Sequence, residues 1–125
     1  RADIGDRPQV IYDSLAERYV WGMAFHWYDE YVTDVACFPK IEQVHHLRPE
    51  KHLVQTEASV ECENTGGIQP MGRWMDAERY AHHMINDLNT WTEAWIDWNL
   101  LLDEKGGPNH AQNMCMALIQ ADTLG

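Results

Sequence analysis

The stretch 39-PKIEQVHHLRPEKHLVQTEAS-59 decides the fold class. Pro39 stands near a helix start, where its missing N–H costs nothing, and Pro49 stands near the end of the same pattern. The run His52-Leu53-Val54-Gln55-Thr56 that follows is short and largely apolar, and it predicts a strand. A helix feeding a strand is the repeating unit of a parallel α/β fold.

The same order recurs on both sides. Upstream, Ile11, Leu15 and Tyr19 step by four in 11-IYDSLAERY-19, predicting an amphipathic helix, and Gly22-Met23-Ala24-Phe25-His26 predicts a short buried strand. Downstream, Trp74, Ala77, Ala81, Met84, Ile85, Leu88 and Trp91 step by three and four, predicting a helix whose Ala81, Met84, Ile85 and Leu88 face packs on the outside of the sheet. Ala94-Trp95-Ile96-Asp97-Trp98 then predicts a third strand. The polar stretch from Glu61 to Pro70, with Gly66-Gly67, and the stretch from Asp103 to Asn109 predict two long loops. Three alternations imply parallel strands joined by right-handed crossovers, in an open doubly wound sheet or a (β/α)8 barrel. Periodicity does not separate the two. A complete barrel needs more than about 200 residues, so on that reading this chain covers about three of eight units.

Composition narrows the function. A chain of 125 residues, 45% apolar, can bury one core, and one domain at most is expected. Twenty acidic against nine basic side chains give a formal charge of -11, which repels phosphate backbones and anionic bilayers and argues against a nucleic-acid partner. No apolar run approaches the roughly 20 residues that cross a bilayer, so no stable membrane insertion is expected. The start at Arg1-Ala2-Asp3 lacks a signal-peptide pattern and an initiating Met, suggesting further sequence upstream. Three cysteines, Cys37, Cys62 and Cys115, cannot all pair within one chain and have no metal-type spacing. The pairs His45-His46 and His82-His83 invite a metal, but adjacent helix positions diverge by about 100° and no His-x-x-x-His pair completes a tetrahedral set. They read as solvated helix-face histidines, and neither a metal nor a cofactor is expected. Six Trp and five Tyr fit a large core or a sugar site, where flat ring faces stack on aromatic side chains.

In parallel α/β folds the working residues stand just past the carboxyl ends of strands. Here those ends carry His26-Trp27-Tyr28, Thr56-Glu57-Ala58 and Asp97-Trp98-Asn99. An imidazole, a phenol, a carboxylate, an indole and an amide on one rim suit a site that binds hydroxyl groups and does acid-base or nucleophilic chemistry. By position alone, Glu57 reads first as a solvated strand-end acid.

The strings 21-WGMAFHWY-28, 53-LVQTEAS-59, 92-TEAWIDWNLLLDEKGGPN-109 and 113-NMCMALIQADT-123 resemble, in order, four segments of the glucosylceramidase barrel of glycoside hydrolase family 30. The resemblance implies a fragment of a (β/α)8 TIM barrel, about strands six to eight with their helices. Residues 1–125 would then be part of the catalytic domain, without its N-terminal units and last helix. It implies a retaining β-glycosidase acting on a β-glucoside or glycolipid through a covalent glycosyl-enzyme. Glu57 matches the family's nucleophile, His26 and Tyr28 its His-x-Tyr pair lining the sugar site, Trp98 a tryptophan that contacts sugar hydroxyls, and Asn113 an asparagine in the loop after strand eight. Asp97, next to Trp98, should face away from the site as a structural acid. Ser59 replaces a cysteine that some glucosylceramidases carry, which leaves the aglycone open. The acid/base glutamate of the family follows an Asn at the end of the fourth strand, a region that would precede Arg1, so the fragment alone should be inactive. Two alternatives stay open: another family 30 specificity (β-1,6-glucanase, β-xylosidase or β-fucosidase), and a non-catalytic truncated barrel. A secreted or lysosomal location would follow only if the parent carries a signal peptide.

Overall fold

The computed structural model describes residues 1–29, 36–60, 72–107 and 115–123. The chain forms two compact units, Arg1–Ala58 with Ala81–Ile96, and Ser59–Tyr80 with Asp97–Gly125.

The first unit carries a three-stranded sheet in the order β1 (Gly22–His26), β2 (His52–Glu57), β3 (Ala94–Trp95). Both pairings are parallel, with Gly22 opposite His52 and Val54 opposite Ala94, so the predicted order of neighbours holds. Three helices accompany the sheet: α1 (Arg7–Tyr12), α2 (Phe38–Leu47) and α3 (Trp74–Asn89), the last belonging to this unit from Ala81 onward. Side chains that alternate along the strands face opposite ways. Phe25 and Leu53 are buried in a core with Tyr12, Ile41 and Val44, while Ala24 and His26 on the other face are exposed. At Gly22 a Cβ would sit 2.1 Å from the His52 carbonyl oxygen, so β1 and β2 meet there only because the residue has no side chain.

Three predicted elements differ. The helix expected over 11–19 is instead α1, which Pro8 starts early, followed by a separate 3-10 turn over Glu17–Tyr19. The Ser14 hydroxyl takes the Ile11 carbonyl at 2.7 Å and accepts the Ala16 amide at 3.1 Å, offering the backbone an alternative to another helical turn. Lys51 takes the Val20 carbonyl at 2.7 Å and, at 3.0 Å, shares the Glu17 carbonyl with the Val20 amide of the 3-10 turn. Tyr12 therefore reaches the core, while Leu15 is 95% exposed and Tyr19 is also exposed.

The third strand is shorter than 94–98, ending at Trp95 with one further bond from the Ile96 amide to the Gln55 carbonyl. A left-handed turn at Asn99, φ 58°, redirects the chain soon afterwards. The helix predicted over 74–91 is present, but Ala81, Ile85 and Leu88 are exposed and its buried residues are His83 and Asp87. This also corrects the reading of His83 as solvated. The physical reason is a buried arginine, described below, that requires polar partners from this helix.

The second unit holds a parallel pair, β4 (Leu101–Asp103) with β5 (Ile119–Ala121), of which only Asp103 falls in a predicted loop. Asp103 therefore ends a strand, and the Gly106 turn, φ 67°, follows it. The predicted loop over 61–70 and the remainder of the second loop beyond Gly107 lie outside the described residues.

Candidate active site

The strand register positions the candidate nucleophile. Phe25 pairs with Gln55, but the next residue, His26, pairs with Glu57, so Thr56 is an extra residue in β2. Such a bulge resets the alternation of faces by one. Without it Glu57 would share the helix-covered face with Leu53 and Gln55. With it, Glu57 stands opposite His26 on the open face. His26 Nδ1 lies 3.8 Å from Glu57 Oε1, and the Glu57 side chain is 34% exposed. Tyr28 meets the His26 ring edge-on, centroids 5.9 Å apart. The bulge is pinned from behind by the Gln55 amide, which donates to the Glu57 carbonyl at 2.7 Å, and by the Thr56 hydroxyl, 3.4 Å from the Phe25 carbonyl.

Behind the sheet lies a polar cluster that the sequence reading missed. The Arg1 side chain is fully buried, as are its partners Asp29 and Asp87. Its Nε donates to Asp29 Oδ2 and its Nη1 to Asp87 Oδ1, both at 2.6 Å. Nη2 donates to the Trp27 carbonyl at 3.1 Å and to His83 Nδ1 at 2.6 Å. A guanidinium has no lone pair to offer, so His83 Nδ1 must be the acceptor, with its proton on Nε2. The Phe38 ring lies 4.6 Å from the guanidinium carbon. Trp95 Nε1 closes the group on Asp87 Oδ2 at 3.1 Å, and Trp27 packs edge-on against both His83 and Trp95.

The two carboxylates respond in opposite ways. Burial pushes Asp29 up, but amides of Cys37 and Ala2 and the Arg1 charge outweigh it and hold its carboxyl below the usual range. Asp87 receives no such pair of amides, and burial holds it above the usual range despite Arg1 and Trp95. Removing the guanidinium would leave buried charge unpaired, a loss of about 3–5 kcal/mol. The only trace of this cluster in the sequence is His83 and Asp87 at a spacing of four within an otherwise apolar pattern.

The site residues expected from the sequence are thus partly assembled within one unit: His26, Tyr28 and Glu57 lie together. Trp98 is half-buried in the second unit, and Asn113 lies outside the described residues. In that second unit Asp97 accepts the Tyr80 hydroxyl at 3.1 Å. Burial and the Asp97 charge push the phenol far up, and burial raises Asp97 in turn. Ser59 is buried and donates to the Met116 carbonyl at 2.8 Å, an internal bond. Among the described residues no group of three or more His, Cys, Asp or Glu is arranged to hold a metal ion. No helix among them is long and apolar enough to cross a membrane.

Parallel strands with intervening helices, carrying a carboxylate and an imidazole at adjacent strand ends, are the arrangement of one arc of a (β/α)8 barrel, whose sites stand at that end of the strands. Residues 6–124 match the TIM-barrel domain of glycosyl hydrolase family 30, and the chain belongs to that family. It is 32% identical over 113 residues to the lysosomal acid glucosylceramidase of Mus musculus, covering 90% of this chain and 22% of that protein. Among solved structures it is similar to SrfJ from Salmonella typhimurium, with a TM-score of 0.75 and 32% identity over 92% of this chain and 24% of that one. It also resembles an endo-β1,6-glucanase, with a TM-score of 0.71 and 29% identity over 93% of this chain and 24% of the other. The chain spans about a fifth of the length of the curated relatives it matches.

Proposed function

We propose that this chain is the nucleophile-bearing part of a retaining β-glycosidase, glucosylceramidase-like, that cleaves a β-glucoside or glycolipid. The observation that carries the reading is the bulged register that sets Glu57 opposite His26 on the open face of the sheet, at its carboxyl end. In the reaction a Glu57 carboxylate oxygen bonds to the anomeric carbon as the glycosidic C–O bond breaks. A second carboxyl group about 5 Å away, supplied from elsewhere in the complete barrel, gives its proton to the leaving oxygen. The same group then takes a proton from water, which attacks the anomeric carbon and releases Glu57. His26 and Tyr28 hold the sugar against the carboxylate, and Trp98 and Asn113 contribute sugar contacts. The fragment alone, with one member of the carboxyl pair, does not turn over.

A β-1,6-glucanase specificity is the second reading, favoured by the likeness to a protein of that name. Both share the nucleophile and differ in the loops that meet the aglycone. Inactivation of the complete enzyme with a 2-fluoro-β-glucoside, followed by peptide mass spectrometry, should find the sugar on Glu57. A label on any other residue ends the assignment. Rates on glucosylceramide and on a β-1,6-linked glucan then separate the two specificities.

A further inference from the structure

We propose that Arg1 is a positioning residue for His26 and Tyr28, acting through the Trp27 carbonyl and the Asp29 carboxylate. The inference rests on Glu57 being the nucleophile that these two side chains attend. Beyond the bulge the sheet ladder barely holds the segment from Trp27 to Asp29, since the Trp27 amide reaches the Glu57 carbonyl only at 3.4 Å. The segment folds on itself, the Asp29 amide donating to the Trp27 carbonyl at 2.7 Å. From outside, the guanidinium takes that same Trp27 carbonyl at 3.1 Å and Asp29 at 2.6 Å. Beside it, the Cys37 and Ala2 amides also donate to Asp29, and the Arg1 amino group donates to the His26 carbonyl at 3.0 Å. The other side of the fork is anchored on α3 through Asp87 and His83, and Asp87 is itself tied to β3 by Trp95. His26 and Tyr28 flank Trp27, whose side chain is fully buried. A shift of Trp27 therefore moves both site residues relative to Glu57.

A planar fork with fixed donor directions is needed to serve four acceptors, and an ammonium in its place keeps the charge but cannot hold that geometry. The test uses the complete enzyme with Arg1→Lys, the double variant His26→Ala with Tyr28→Ala, and their combination, assayed on an aryl β-glucoside. Arg1→Lys should lower kcat/KM by about tenfold or more with the near-ultraviolet circular dichroism unchanged. In the background lacking both His26 and Tyr28 side chains it should cost less than about twofold, because its effect passes through two side chains already removed. Losses that multiply, or no loss with Arg1→Lys, overturn the proposal. If Arg1→Lys does not fold, Asp29→Asn replaces it: the amide oxygen still accepts from Arg1 Nε without the charge. A several-fold loss that disappears in the background lacking both His26 and Tyr28 side chains supports the proposal, and no loss or multiplied losses overturn it. The 2-fluoro-glucoside label is read in parallel. A label away from Glu57 sinks the nucleophile, whereas multiplied losses with the label on Glu57 sink the role of Arg1 alone.

Discussion

At its amino end the β1–β2 pair is regular. Gly22 lies directly against the His52 backbone, Trp21 stacks on the His52 ring at 3.9 Å, and Glu93 meets the same imidazole at 2.7 Å on the surface. At its carboxyl end, a few residues along the same two strands, the ladder carries an extra residue and a partly buried carboxylate faces an imidazole. There the helix-covered side holds an arginine between two aspartates instead of an apolar core. The first end gains its order from close backbone approach. The second gains it from charged hydrogen bonds that aim particular side chains, at the expense of burying charge. Regularity stabilises, and the departure from it places chemistry.

Five substitutions, in four tests, bear on that contrast. The largest effect should come from Glu57→Gln in the complete enzyme, which removes the attacking charge and should lower kcat on the order of a thousandfold or more while leaving the urea unfolding midpoint unchanged. At the regular end, Gly22→Ala should leave the chemistry intact but destabilise the fold by about 2–3 kcal/mol, because a backbone oxygen cannot rotate out of the way of the new methyl. Equal stability of the two proteins in urea would mean that the strands are not in this register.

The third test concerns the slope of stability with pH. Asp29 has a lowered carboxyl in the folded protein, so its contribution is present above the ordinary carboxylate value and is lost as pH falls through the lowered one. Asp87 is raised, so its contribution is greatest in acid and declines as pH rises from the ordinary value through the raised one. Asp29→Asn should flatten the acid-side fall, and Asp87→Asn should remove the opposing decline. Each change is bounded by about 1.4 kcal/mol per pH unit for one proton. Unfolding midpoints measured across the acid range decide it, and identical slopes in both variants would contradict the geometry. The smallest effect belongs to Glu93→Gln. It breaks a half-exposed pair and should cost under about 1 kcal/mol, a difference that disappears in molar salt.

Much of the first unit was legible in the sequence because its signals are local. Gly22–His26 has the predicted bounds, and His52 begins β2 as predicted. Helix α3 starts at Trp74, where the three-and-four pattern starts. The bulge was not legible, since the surplus of Thr56 exists only when β2 is counted against β1. Nor was the buried face of α3, because periodicity finds an apolar stripe and cannot know that Arg1 will need Asp87 and His83. Helix α1 was misplaced because Ile11, Leu15 and Tyr19 keep the helical spacing while the Ser14 hydroxyl offers the backbone an alternative to another helical turn. The candidate site followed the same division. Glu57, His26 and Tyr28 came from strand ends and family resemblance, while Gln55 and the arginine cluster required coordinates.

The pairing of Gly22 with His52 and of Val54 with Ala94 also bears on how the molecule reaches this state. No two paired strands of this sheet are joined by a tight turn, so every ladder hydrogen bond waits on closure of a long connection that includes a helix. Loop closure grows only slowly more costly with length, but it must be met before any pairing rewards it. The helices can form in about a microsecond, whereas the sheet must assemble from contacts remote along the chain. Until those connections close, the strand edges are open, and the apolar pair Leu53-Val54 is available for association with other chains.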